Sequence, residues 1–269
     1  MTPATHLSQQ LAPNFWRFTE LMDGAPYVDA YLLVGSRRAA LIDALQFTHT
    51  PALWEEVRRR TQLPVDVLLT HGHPDHVGEE VPRLARAEGF TLHMSHLDVP
   101  LAQQMFAPDY TAAMFRNLQE GDRFDLGGIT LEALRVAGHT PGSFVFLDRA
   151  GRRAFTGDSL GLWLQLDHAL PMAFYVQELQ RFRDAIAAIP DTVVYTGHLA
   201  QCGGALWTIS YCDEMLDLCR RILDGSYVGE PVAVPPEQEG TFFAELMRGA
   251  RRGVNGRVQN LIYRDTNLR

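Results

Sequence analysis

Short apolar runs of four to eight residues alternate along this 269-residue chain with stretches in which apolar positions recur every three or four residues. Residues 27–34 and 39–43 read as two strands separated by the hairpin-like Gly35-Ser36-Arg37-Arg38. Pro51 opens a helical pattern to residue 60, with Leu53, Trp54 and Val57 on one side. A buried strand at 65–70, a helix at 77–88 and a strand at 91–95 follow, and this β-α-β alternation predicts a layered α/β protein. Residues 100–117 are weakly helical and broken by Pro108. Short runs at 122–126, 129–136, 144–148 and 154–156, joined by Gly-rich turns, predict an antiparallel meander. A helix at 176–189 and a strand at 192–196 come next. The strongest helix spans 205–224, where Cys212, Met215, Cys219 and Ile222 mark one buried face and Gly225 supplies the stop. Pro231, Pro235 and Pro236 mark a surface connection, after which 242–247 is helical and 258–263 strand-like. The expected organisation is a catalytic domain over 1–204 and a C-terminal extension over 205–269 packed on it.

Composition narrows the class. With 46% hydrophobic and 21% charged residues the chain can fill a core, which excludes bulk disorder. No apolar run approaches the roughly 18 residues a membrane helix needs. Residues 1–18 carry no basic start, apolar stretch and cleavage site, so the expected location is the cytoplasm and no membrane partner is expected. A net charge of -8 with scattered basic residues opposes nucleic-acid binding. All 24 basic residues are Arg, which removes Schiff-base lysine chemistry and Lys-based phosphate loops. Three cysteines are too few and too odd for a disulfide framework, and the helical spacing gives Cys212 and Cys219 a core role.

The chemistry is concentrated directly after the 65–70 strand, where His71-Gly72-His73-Pro74-Asp75-His76 places four potential metal ligands in six residues. Neutral imidazoles and carboxylates are ligands that Zn(II) accepts, and Gly72 and Pro74 allow the tight backbone that aims them. Three more pieces each put a ligand type at the end of an expected strand: Gly138-His139-Thr140-Pro141-Gly142-Ser143, Thr156-Gly157-Asp158-Ser159 and Thr196-Gly197-His198.

Taken in this order, over about residues 27–200, these motifs resemble the metallo-β-lactamase superfamily. The resemblance implies a four-layer αββα sandwich with two Zn(II) ions per chain at one edge between the sheets, iron or manganese being alternative metals. It implies further that His71, His73 and His139 hold one ion, that Asp75, His76 and His198 hold the other, and that Asp158 bridges them. Such a pair, about 3.5 to 4 Å apart, can bind a bridging hydroxide and polarise a carbonyl or phosphoryl oxygen. The implied activity is hydrolysis of an ester, thioester or lactone in a small molecule, with Asp75 orienting the nucleophile. Three other activities remain open: a mononuclear iron sulfur dioxygenase built on His71, His139 and Asp158, phosphodiester cleavage and β-lactam cleavage. An Asp rather than Cys or Ser at position 158 differs from true metallo-β-lactamases. After that Asp, hydroxyacylglutathione hydrolases usually continue into a Gly-Cys-Gly-Arg-like stretch, where this chain has Ser159-Leu160-Gly161-Leu162-Trp163-Leu164. Oligomeric state is not legible.

Residues 159–175 are rich in large apolar side chains interrupted by Gly161, Asp167, His168 and Pro171. They are equally compatible with core and with a substrate-facing wall, for which Trp163, His168 and Phe174 are the candidate contacts. His96 and Cys202 lie near motifs in sequence but read as a structural histidine and an inert thiol, and His6, His49 and His93 as structural or exposed.

Overall fold

Apolar residues two apart along a strand share a face, and this parity builds the layers. The computed structural model describes residues 6–46, 53–79, 81–106, 110–161, 163–166, 170–202, 207–232, 236, 251–255 and 260–269. Among these, the first sheet runs in order β1 (His6–Ala12), β2 (Phe15–Met22), β3 (Ala25–Val34), β4 (Ala39–Ile42), β5 (Val65–Leu68), β6 (Phe90–Met94) and β7 (Arg116–Asn117). β1 to β4 pair antiparallel and β4 to β7 parallel. Parallel pairs need crossovers, and helices α1 (Leu53–Arg58), α2 (Pro74–Val77), α3 (Val81–Arg86) and α4 (Val99–Phe106) lie on them. Val28, Ala30, Leu32, Leu41 and Val67 pack with Leu53 and Val57 of α1, Leu84 of α3 and Ala102 of α4. The alternate positions Tyr31, Leu33, Ala40, Ile42 and Leu68 face the other way, against Leu131, Phe144, Phe146 and Phe155.

Those last residues belong to the second sheet. β8 (Arg123–Asp125), β9 (Thr130–Arg135), β10 (Phe144–Asp148) and β11 (Arg153–Gly157) form the expected antiparallel meander. After β12 (Trp163–Gln165) and α5 (Met172–Ala187), β13 (Val193–Thr196) adds parallel to β11. Val145, Leu147 and Ala154 point away from the first sheet onto α5 and α6 (Ile209–Leu223). The order is therefore helix, sheet, sheet, helix, the αββα sandwich expected. The C-terminal strands β14 (Glu230–Pro231), β15 (Arg251–Asn255) and β16 (Asn260–Arg264) form a small third sheet in which β16 pairs parallel with β12. Leu261 and Tyr263 of β16 enter the α5–α6 core.

Several elements differ from the sequence expectation. β1 and β2 carry no clear apolar alternation: β1 is an edge strand exposed along most of its length. The helix expected at 77–88 starts at Pro74, breaks at Gly78, whose φ is 65°, and resumes at Val81 with Pro82 in its first turn. Residues 203–206, the expected helix at 242–247, and the positions of His49, Pro51, Pro108 and His168 lie outside the described residues. Of the 159–175 stretch, Leu160, Leu164, Leu166, Met172 and Tyr175 are buried in the α5–α6 core. Among the described residues no helix is long and apolar enough to cross a membrane.

Candidate metal centre

All of the motif loops leave the C-terminal ends of strands at one edge of the sandwich: 71–76 after β5, 138–143 after β9, Asp158 after β11 and His198 after β13. Backbone hydrogen bonds stitch the two sheets together at this edge, Phe144 N donating to Thr70 O at 2.8 Å and Asp29 N to Gly197 O at 2.7 Å, while Gly197 N donates to Gly157 O at 2.9 Å within the second sheet. Pro74 begins a single helical turn that turns His76 into the interior, where it is fully buried, and leaves Asp75 partly exposed. Bare backbone at Gly197 permits the close approach of the last loop. A Cβ there would stand 2.4 Å from His76 Cε1 and 2.7 Å from Asp158 Oδ1.

The seven expected ligands converge as two groups. In the first, His73 Nδ1 lies 2.9 Å from His71 Nε2 and 2.8 Å from His139 Nε2. The outer nitrogens of two of these rings face acceptors: His139 Nδ1 donates to Gln165 O at 3.1 Å, and His71 Nδ1 faces Thr70 Oγ1 at 3.1 Å. Thr70 Oγ1 in turn donates to Asp43, so it accepts from His71. With Nδ1 of each ring engaged in this way, the neutral tautomers of His71 and His139 turn an Nε2 lone pair toward His73 Nδ1. In the second group His76 Nε2 and Asp158 Oδ1 are 3.3 Å apart, and both are buried without a hydrogen-bond partner. His198 Nε2 lies 3.5 Å from Asp75 Oδ2 and 3.4 Å from Asp158 Oδ2. Asp158 Oδ2 is also 3.8 Å from His139 Nε2, so this carboxylate stands between the groups.

Electrostatics separates the halves. Burial, reinforced by the neighbouring imidazoles, pushes His71 well below the usual histidine range and His73 down to about 3. Burial also works against a charge on His76 and His198, yet the carboxylates outweigh it. Asp158, Asp43 and Asp75 raise His76 well above its ordinary value, and Asp158 with Asp75 raises His198 to about 9. Burial opposes ionisation of Asp75 and Asp158 as well, and the facing histidines overcome it, holding both carboxyls below the usual range. Converging lone pairs in one half and orphaned buried polar atoms in the other are the pattern of a cation site, and an all-imidazole and carboxylate donor set fits divalent transition metals.

Four supporting residues escaped the sequence analysis. Asp43, at the end of β4 with φ of 60°, accepts from Thr70 N at 2.8 Å and Thr70 Oγ1 at 2.9 Å, and from His76 Nδ1 at 2.9 Å. Tyr27 takes the His198 Nδ1 proton on its carbonyl at 2.6 Å and donates its hydroxyl to Asp75 Oδ2 at 3.0 Å. Gln165 and Asp98 complete the set. Such partners orient ligands and select tautomers, but no local signal marks them. The candidate substrate contacts are less informative. Phe174 lies half-buried on α5 with the Arg135 guanidinium 5.4 Å from its ring centre, Trp163 contributes backbone to β12, and His168 is outside the described residues. His96 Nε2 is held by Phe115 O at 3.1 Å, away from the ligand set. Burial pushes the Cys202 thiol up to about 11 and those of Cys212 and Cys219 to about 12, in accord with inert roles.

The family model of the metallo-beta-lactamase superfamily matches residues 23–198, well over half of the chain and all seven convergent residues. The chain belongs to the metallo-β-lactamase superfamily. Within it, a hydroxyacylglutathione hydrolase of Ruegeria pomeroyi is 31% identical over 179 residues, covering 63% of this chain and 61% of that protein. One from Fuscovulum blasticum is 35% identical over 133 residues, covering 49% and 47%. The chain thus spans about half to three-fifths of the curated relatives it matches. A beta-lactamase domain protein from Burkholderia ambifaria superposes with a TM-score of 0.60 at 21% identity, covering 83% of this chain and 79% of that one. A metallo-beta-lactamase from Pontibacter korlensis superposes with 0.58 at 21% identity, covering 79% and 98%. At these identities the structures speak for the fold.

Proposed function

We propose that this protein is a dinuclear zinc hydrolase that cleaves a thioester, or a related ester or lactone, of a small molecule in the cytoplasm. The observation that carries the metal reading is the meeting of His71, His73 and His139 nitrogens at 2.8 and 2.9 Å beside the orphaned pair His76 Nε2 and Asp158 Oδ1. In this reading His71, His73 and His139 hold one ion, Asp75, His76 and His198 the other, and Asp158 reaches both. When bound, two such ions supply Lewis acidity toward a carbonyl oxygen and lower the pKa of a water enough to make it nucleophilic near neutral pH.

The chain's own residues prepare this centre. Thr70, Asp43, Gln165 and Tyr27 accept the outer ring protons, which leaves inward nitrogens free to ligate. Asp75, steadied at Oδ2 by the Tyr27 hydroxyl, orients the nucleophile. The names of the relatives support a thioester. The departure at residues 159–164 and the absence of Lys favour an acyl carrier other than glutathione. We place the chemistry in residues 1–204, with 205–269 as an extension docked through α6 and β16.

The test is elemental analysis of protein purified without added metal, then assay against thioesters, esters, lactones, β-lactams and phosphodiesters. Two ions per chain and chelator-sensitive thioester cleavage are expected. One ion with full activity would remove the dinuclear assignment, and oxygen uptake with a persulfide would favour the iron dioxygenase.

A further inference from the structure

Asp98 belongs to neither ligand loop. It ends the 3-10 turn His96–Asp98 between β6 and α4 and is fully buried. Its Oδ2 nevertheless accepts from Gly72 N at 3.0 Å and Thr140 Oγ1 at 2.6 Å, and its Oδ1 from Gly142 N at 2.7 Å. Gly72 sits between His71 and His73, and Thr140 follows His139 directly. One carboxylate therefore grips both loops that bring the three imidazoles together. Two glycines make the grip possible: a Cβ at position 142 would stand 2.6 Å from Asp98 Oδ1, and one at position 72 would stand 2.5 Å from Asp98 O. The Thr140 end is locked a second time, because its hydroxyl lies 2.7 Å from Ser143 Oγ and its N–H donates to the same oxygen at 3.2 Å.

We propose that Asp98 is the positioning residue of the three-histidine half-site, a clasp that holds the His71–His73 loop against the His139 loop so that the imidazoles converge before a cation arrives. The proposal deepens the metal reading above and rests on it. Its physical basis is that converging lone pairs repel one another in the metal-free protein, and the three hydrogen bonds that Asp98 accepts from the two loops oppose that separation. Gripping the two loops at the Gly72 and Gly142 N–H groups and the Thr140 hydroxyl transmits the restraint to the rings without touching them. The other half-site is supported by Asp43 and Tyr27, neither of which hydrogen-bonds to Asp98, so loss of the clasp should leave it in place.

The test is Asp98→Asn, whose amide must turn its NH₂ group toward one of the donors from which the carboxylate accepts. Asp66→Asn serves as a control for loss of a buried carboxylate, since Asp66 binds Arg38 and His93 instead. Competitive cobalt(II) titration against a chelator resolves the uptake steps, and the step lost in His139→Ala identifies the three-histidine half. Asp98→Asn should weaken that step about 10- to 100-fold and leave the other within about two-fold. Thr140→Val, which removes one of the three hydrogen bonds, should weaken the same step less, and it decides the matter if Asp98→Asn does not fold. Asp66→Asn should lower the melting temperature with cobalt uptake unchanged. In metal-free protein, ¹⁵N imidazole spectra should show His73 and His139 displaced by Asp98→Asn and His198 undisturbed. Cobalt affinities equal to wild type at both steps would overturn the clasp. Wild-type protein that takes up no cobalt would overturn the metal reading instead, and unchanged His73 and His139 signals in the metal-free Asp98→Asn spectra would then overturn the clasp separately.

Discussion

Replacing Asp43 by Asn changes one atom's chemistry and should strip the proton from one nitrogen of His76. Asp43 has φ of 60°, which Asn tolerates better than Ala does, so Asp43→Asn avoids adding backbone strain to the comparison. The amide oxygen is needed by Thr70, whose N–H and hydroxyl lie 2.8 and 2.9 Å from Oδ1. That leaves the NH₂ group 2.9 Å from His76 Nδ1, where a donor now faces a donor. His76 can restore the bond only by giving up its Nδ1 proton and keeping one on Nε2, the atom 3.3 Å from Asp158 Oδ1 that we propose as the ligand. A lost hydrogen bond to a charged acceptor is worth about 1.5–3 kcal/mol. The loss of a ligand-orienting partner typically lowers metal affinity about 10- to 100-fold, or about 1.4–2.8 kcal/mol, so the two estimates agree. Cobalt(II) titration should show this loss at the half-site of Asp75, His76 and His198, and ¹⁵N imidazole spectra of metal-free protein near pH 7 should show altered His76 protonation. An Asp43→Asn chain with wild-type affinity and His76 still protonated on Nδ1 would refute the reasoning.

Further outcomes follow from the same geometry. Gly197→Ala should cost about 1–3 kcal/mol by overpacking, because its Cβ would meet His76 and Asp158, with a lower melting temperature and weaker metal uptake. Normal stability and normal uptake would mean that the loop yields freely. Metal uptake at pH 7 should release about two protons from His76 and His198, and about one more from the water that the loaded centre ionises, countable in weakly buffered indicator solution. Since the folded-state value of His198 is raised from 6.5 to about 9, its contribution to the metal-free protein is complete below pH 6.5 and vanishes as pH rises through about 9. The melting-temperature gap between wild type and His198→Ala should accordingly close over that window, and a constant gap would contradict the assignment. Asp158→Ala should lower metal content and kcat together, while Cys212→Ser should leave both intact apart from a core penalty. Full turnover at full occupancy in Asp158→Ala would exclude the bridge.

The chain by itself determined the residues that meet at the centre and the strands that end there. His71, His73, Asp75 and His76 follow a buried apolar run, and the parity of β3, β4 and β10 is written in alternate side chains. These are local patterns, set by neighbours one to seven positions away. β1 escaped because an edge strand exposed on both faces has no apolar period to read, and the 77–88 helix was overextended because a left-handed glycine at 78 breaks a pattern that the apolar positions continue. Only the tertiary structure decided how these side chains are oriented. Asp43 reaches His76 across 33 residues, Asp98 reaches Thr140 across 42, and Tyr27 reaches His198 across 171. It also sent Leu160, Leu164 and Leu166 into the α5–α6 core, through the pairing of β12 with β16, an alternative that composition had left even with a substrate wall. Each of these contacts exists because two separately built sheets pack face to face and bring distant strand ends to one edge, a three-dimensional constraint with no signature in any window of sequence.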